Sequence, residues 1–167
     1  MLDFQRGSEG AFAELFARYR EPVYGYFRRR LDDAARAEEL AQETFLAVLR
    51  AVVRYEPRAL FRTYLYGIAF LQLQAERRKN LRREANLQAS YAGPPAGGDA
   101  EAAAIIRQAL ARLGPDEREV LMLREYEELS YAEIAALQRA PVNTVRSRLF
   151  RARQALKQVL MSPQGGK

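Results

Sequence analysis

The chain contains neither cysteine nor histidine. Their absence removes disulfides, thiolate nucleophiles, imidazole bases and nearly every zinc or transition-metal site at once. No glycine-rich phosphate loop follows a strand pattern. The adjacent carboxylates Asp32/Asp33, Glu38/Glu39 and Glu127/Glu128 point apart on a helix and are expected at the surface rather than as acid–base couples. No catalytic residue, metal, cofactor or small-molecule substrate is therefore expected. The first residues lack a basic-then-apolar leader, and no apolar run approaches the roughly 20 residues that span a bilayer. A cytoplasmic protein without membrane insertion is the expectation.

What remains is apolar and charged in helical proportions. Of 167 residues, 49% are hydrophobic and 29% charged, enough for one good core or two small ones. Lysine and arginine number 27 against 21 acidic residues, a net charge of +6 that favours an anionic partner. No strand alternation and no internal repeat occurs, so the fold class expected is all-α. Two small helical domains, residues 4–85 and 102–161, are separated by a flexible linker at 86–101. That linker carries Gly93, Pro94, Pro95, Gly97 and Gly98, a composition with little to bury and little helix propensity.

In the first block, Ala11, Phe12, Leu15, Phe16, Tyr19, Val23, Tyr24 and Phe27 recur at helical spacing from Ser8, a candidate cap, with Pro22 as a point of bending or interruption. A second helix after Asp33 turns Leu40, Ala41, Phe45, Val48, Leu49 and Val52 inward and shows Glu38, Glu39, Gln42, Glu43 and Leu46 outside. Arg54 to Leu60 is aperiodic and reads as a loop. A third helix from Phe61 carries Tyr64, Leu65, Ile68, Ala69 and either Leu71 or Gln72 inward, and ends in the basic run Arg77, Arg78, Lys79, Asn80, Leu81, Arg82, Arg83.

The second block is expected to hold four helices: one through Ile105, Ile106, Ala109, Leu110 and Leu113, a break at Gly114 and Pro115, another from Asp116 to Tyr126, and then a helix-turn-helix. Ser130 and Glu133 form a capping-box pattern ahead of Ile134 and Leu137, and Pro141 separates this short helix from a long basic one. Val142, Val145, Leu149, Ala152 and Leu156 make its single apolar stripe. The opposite face holds Asn143, Ser147, Phe150, Arg151 and Gln154, and no acidic residue follows Glu133. Duplex DNA suits such a helix. Asn143, Thr144, Arg146 and Ser147 near its start are placed for base edges, and Arg148, Arg151 and Arg153 for phosphates.

The segment AEELAQETFLAVLRAVVRYEP (Ala37 to Pro57), followed by FRTYLYGIA (Phe61 to Ala69), resembles the promoter-melting domain of bacterial RNA polymerase sigma factors of the extracytoplasmic-function type. Leu113 to Leu156 resembles the same family's second domain, in the family's order and separation. The resemblance implies a non-enzymatic subunit that binds core RNA polymerase and promoter DNA, reads the -35 and -10 elements and opens the duplex, with an anti-sigma protein as a further partner. It assigns polymerase docking to Glu38, Glu39, Gln42, Glu43 and Leu46. The loop and following helix become the -10 reader: Tyr55 and Arg58 are the expected strand contacts, with Arg62, Arg77, Arg78 and Lys79 on DNA beside them. The chain departs from the family pattern at Tyr64, where tryptophan is common, at Leu71, near the place of an asparagine, and at Arg139, which stands where a turn glycine is usual and so implies a left-handed backbone. The alternative is a stand-alone helix-turn-helix regulator whose first block dimerises or senses a partner.

Overall fold

We describe the computed structural model over residues 1–84 and 108–161, with 82–84, 159 and 160 as backbone only. The described residues are helical with no strand, and the chain divides into two compact units, within Met1–Ala92 and Gly93–Lys167. The expected linker 86–101 and Ile105–Ile106 lie outside the described residues.

The first unit contains α1 (Leu2–Gln5), α2 (Glu9–Arg28), α3 (Ala34–Ala51), a 3-10 turn (Val52–Arg54) and α4 (Phe61–Glu84). The three long helices pack on one another, and α1 lies against α2 and the 3-10 turn. Their core is built from Val23, Tyr26 and Phe27 of α2, Ala37, Leu40, Phe45 and Val48 of α3, and Leu65, Tyr66, Ala69 and Leu73 of α4. Each large apolar side chain buried this way is worth about 1.5–3 kcal/mol. Asp33 caps α3 by accepting a hydrogen bond from the Arg36 amide at 3.1 Å, satisfying one of the orphan donors of the first turn.

Arg36 then joins two helices. Its guanidinium donates to Glu39 at 2.8 Å and reaches Glu43 at 3.3 Å on α3, and meets Glu76 of α4 at 2.8 Å. Hydrogen bonds donated to Glu76 and Glu39 raise its already high pKa, so the charge is permanent. Pro22 lies inside α2 without ending it. Ser8 makes no side-chain cap; its amide instead donates to the Asp3 carbonyl at 3.0 Å. Val52 leaves the α3 stripe for the 3-10 turn. Between Leu71 and Gln72 the choice is settled: Leu71 is 62% exposed, and Gln72 meets the Thr44 hydroxyl of α3.

The second unit has helical residues at 108–111, then α5 (Pro115–Glu125), α6 (Tyr131–Gln138) and α7 (Val142–Met161). Arg118 of α5 reaches back to the carbonyls of Leu110 (2.8 Å), Ala111 (3.2 Å) and Leu113 (3.1 Å) and so closes the end of the preceding helical turn. Val120, Met122, Leu123, Leu129, Ile134, Val145, Leu149 and Ala152 form the core. Val142, at 37% exposure, lies outside it, and Leu156 is half-buried. The Glu127/Glu128 pair is not uniformly at the surface: Glu127 is buried, while Glu128 is exposed with φ 55°, because the chain reverses there to bring Leu129 inward. The Leu129 amide donates to the Leu123 carbonyl at 3.1 Å.

The helix-turn-helix itself follows the sequence closely. Ser130 Oγ accepts from the Glu133 amide at 3.2 Å, and Glu133 accepts from the Ser130 amide at 2.7 Å. Arg139 ends α6 in the left-handed region, φ 51° and ψ 43°, where its Cβ is crowded by backbone. Replacing it by glycine removes that crowding. Arg139→Gly is expected to stabilise this unit by about 1 kcal/mol and Arg139→Ala to leave it nearly unchanged; urea unfolding of the full chain followed by circular dichroism reads the difference.

Candidate promoter and polymerase interfaces

On α7 the buried stripe of Val145, Leu149 and Ala152 fixes which side chains face out. Asn143, Arg146, Ser147, Phe150 and Gln154 are exposed, and Thr144 is half-buried. Arg146 donates to Asn143 Oδ1 at 3.4 Å, and Ser147 donates to the Thr144 carbonyl at 3.0 Å. The four residues expected to reach base edges thus cluster on the first two turns, with donors and acceptors of the kinds that read a major groove. Phe150, 64% exposed, adds an apolar surface one turn further along.

The other arginines are not the uncompensated charges that their own helix suggests. Arg148 pairs with Asp116 and donates to Gln138 Oε1 at 3.2 Å. Arg151 meets Glu117 at 2.6 Å, and Arg153 meets Glu125 at 2.7 Å, a hydrogen bond that raises its pKa. All three carboxylates stand on α5. Arg148 is turned so far into this contact that only 22% of its side chain is exposed, whereas Arg151 and Arg153 stay 57% and 50% exposed. Nothing in the α7 sequence signals these partners, which lie 28 to 34 residues upstream.

In the first unit the expected strand contacts separate. Tyr55 is 7% exposed; its ring lies 5.0 Å from Tyr64 and 6.5 Å from Phe61, edge-on to both. The Tyr55 ring is therefore largely packed into the loop's footing, where the sequence reading had it open. Burial raises the Tyr55 and Tyr64 pKa values, for Tyr64 with a smaller contribution from Tyr55, so both hydroxyls stay protonated. Arg58 remains at the surface, paired with Glu56 at 2.6 Å. Beside it opens a groove of about 400 Å³ lined by Arg54, Glu56, Arg58, Thr63 and Tyr64 among others. Glu56 was not singled out from sequence, although its place in an aperiodic stretch between two helices marks it as loop-borne. Arg62 and Arg77 are half-buried, and Arg78 and Lys79 exposed.

The acidic face of α3 is outward as expected: Glu38, Glu39, Gln42, Glu43 and Leu46 are all exposed. Glu39 and Glu43 are held by Arg36. Glu38 and Gln42 instead border a groove of about 320 Å³ between α2 and α3, whose apolar wall includes Phe16 and Phe45. Phe16 is 39% exposed, and its ring lies 4.9 Å from Phe45.

Comparison with known proteins places both units. Residues 15–83 match the family model for Sigma-70 region 2, and residues 103–156 the model for Sigma-70, region 4. The RNA polymerase sigma-H factor of Pseudomonas aeruginosa is 34% identical over 93% of this chain and 89% of its own length. The ECF RNA polymerase sigma factor SigW of Bacillus subtilis is 30% identical over 93% and 92%. The chain belongs to the extracytoplasmic-function family of RNA polymerase sigma factors. Its fold agrees with the sigma factor RpoE of Bartonella quintana, solved with the anti-sigma factor NepR, at a TM-score of 0.77 and 22% identity over 92% of this chain and 99% of that one. As an alternative sigma factor it binds core RNA polymerase, recognises the -35 and -10 elements and promotes melting of the promoter. The family is one of initiation factors and not an enzyme class. Among the described residues no helix is long and apolar enough to cross a membrane, and no group of three or more acidic side chains is arranged to hold a metal.

The α5 carboxylates give this sigma factor a measurable property. Asp116→Asn combined with Glu117→Gln releases Arg148 and Arg151 from their carboxylates and is expected to tighten binding to a non-specific DNA duplex about three- to ten-fold at low salt and to steepen its salt dependence. Fluorescence anisotropy across a salt series checks both; unchanged affinity and slope would show that the pairs do not restrain the arginines.

Proposed function

We propose that the -35 element is read by Asn143, Thr144, Arg146 and Ser147, with Arg151 and Arg153 on flanking phosphates and Arg148 holding α7 against α5 until DNA draws it outward. What carries this reading is the outward cluster of Asn143, Arg146 and Ser147 at the start of a helix whose opposite side is buried at Val145, Leu149 and Ala152. The -10 strand is held at the groove beside Arg54 and Arg58, with Arg62, Arg77, Arg78 and Lys79 following the phosphates along α4. Tyr55 supports that groove from beneath.

Core polymerase docks on Glu38, Glu39, Gln42, Glu43 and Leu46, an acidic face suited to a basic partner surface and extended by the apolar groove at Phe16 and Phe45. The domains span 4–85 and 102–161, with 86–101 as the tether. Two modest contacts joined by a tether act as one tight contact when both sites lie on the same complex, because the second binding event becomes intramolecular. The protein works in the cytoplasm, where its polymerase is, needs no cofactor, metal or small-molecule substrate, and is held in check by an anti-sigma protein. The RpoE relative, solved with NepR bound, supports this last point. The alternative of a stand-alone regulator is not favoured, since the N-terminal unit matches Sigma-70 region 2 and is not an unassigned partner module.

Multi-round transcription with core RNA polymerase on a pool of native promoter fragments is expected to yield new, sequence-specific starts only when the protein is present; binding to DNA without any start would favour the regulator. On a promoter so recovered, Arg146→Ala is expected to cost about 1–3 kcal/mol of discrimination between the native and a substituted -35 element. Equal discrimination by mutant and wild type would remove Arg146 from the reading set.

A further inference from the structure

The carbonyls of Val53 and Tyr55, one before Arg54 and one a peptide beyond it, are held by one side chain that belongs to neither the loop nor the helices flanking it. Gln5 Nε2, on α1, donates to the Val53 carbonyl at 3.3 Å and to the Tyr55 carbonyl at 3.2 Å. A primary amide has two N–H groups and can serve both acceptors at once; with two carbonyls facing it, its nitrogen end must point to the loop. The helix that carries Gln5 is itself anchored. The Phe4 ring lies 5.1 Å from Phe12 of α2, and the Ser8 amide closes the α1–α2 turn on Asp3. That turn passes through Gly7 at φ 100°, a conformation that side-chain-bearing residues rarely adopt.

The residue between the two clamped carbonyls is the one the loop most needs to aim. Arg54 is exposed and lines the 400 Å³ groove. Arg58 is engaged by Glu56, whereas Arg54 has no carboxylate partner among the described residues. The direction of a side chain follows from its own φ and ψ: Gln5 holds the peptide before Arg54 through the Val53 carbonyl, the Tyr55 amide holds the peptide after it by donating to the Val52 carbonyl at 3.2 Å, and Gln5 holds the next peptide through the Tyr55 carbonyl. Tyr55, the second clamped residue, roots the loop in the Phe61–Tyr64 cluster. We propose that Gln5 is a positioning residue for promoter opening: it holds the 3-10 turn so that Arg54 points over the groove where the unpaired strand is gripped. The inference rests on the reading of this groove as the -10 strand site, and assigns to α1, which precedes the Sigma-70 region 2 match at 15–83, a part in that site.

Gln5→Met keeps the length and the neutral charge and removes both donors, so it does not itself repel DNA. The test is multi-round transcription with core polymerase on a duplex promoter recovered from the native pool, using the wild type, Gln5→Met, Arg54→Ala and the double variant. Gln5→Met and Arg54→Ala are each expected to reduce transcript about five-fold, the scale of losing one or two weak hydrogen bonds. The double variant is expected to fall no further than Arg54→Ala alone, since the two act through one contact. Core binding and the melting temperature of Gln5→Met should match the wild type. Wild-type transcription by Gln5→Met beside a defective Arg54→Ala overturns the proposal, as does a double variant reduced by the product of the single effects. Wild-type transcription by Arg54→Ala instead overturns the groove as the strand site, and the role of Gln5 falls with it.

Discussion

The organisation of the DNA-reading unit depends on an imbalance of charge within one helix. After Glu133 the chain carries no acidic residue, so α7 cannot neutralise its arginines by the usual i, i+4 pairing along its own surface. Neutralisation comes from α5, through Asp116, Glu117 and Glu125. Exposed ion pairs contribute little to stability, roughly 0–1 kcal/mol each. Their significance here is direction: each pair draws an arginine toward α5 and away from the face that holds Asn143, Arg146 and Ser147. Asn143, Arg146 and Ser147 are left clear while Arg148, Arg151 and Arg153 are already engaged by carboxylates.

The first unit solves a different problem, that of holding a short irregular stretch in one shape. A stretch of six residues, Tyr55 to Leu60, has no ladder of its own hydrogen bonds to keep it in place. Its rigidity is borrowed from below by Tyr55 on Tyr64 and Phe61, and from the side by Gln5. Arg36 performs the corresponding task for the long helices, tying the start of α3 to Glu76 on α4. In both places a polar side chain with several donors fixes elements that apolar packing alone would leave free to slide.

Much of this was legible in the sequence, and the parts that were not share a cause. Helical periodicity gave α2, α3 and α4 and the buried side of α7. The Ser130–Glu133 box and the left-handed Arg139 follow from local rules that need no tertiary information. Tyr55 was misjudged because a tyrosine in an aperiodic stretch looks available, and only the folded chain shows two other aromatic rings converging on it. The α5 carboxylates and Gln5 were missed for the same reason: their partners lie 28 to 50 residues away, and no spacing rule connects residues on different helices. Of the acidic α3 face, the exposed positions were read correctly, while the apolar groove beside them was hidden because Phe16 had been counted as core.

That misplaced phenylalanine belongs to a row. Phe4, Phe12, Phe16 and Phe45 follow one another at ring-to-ring distances of 5.1, 6.3 and 4.9 Å, from α1 across α2 to α3. One end of the row lies one residue from Gln5, and the other lines the groove between α2 and α3. A group that displaced Phe16 would break its contacts with Phe12 and Phe45, and Phe12 is the ring on which Phe4 of α1 rests. Four rings in successive contact thus run as one apolar row through α1, α2 and α3.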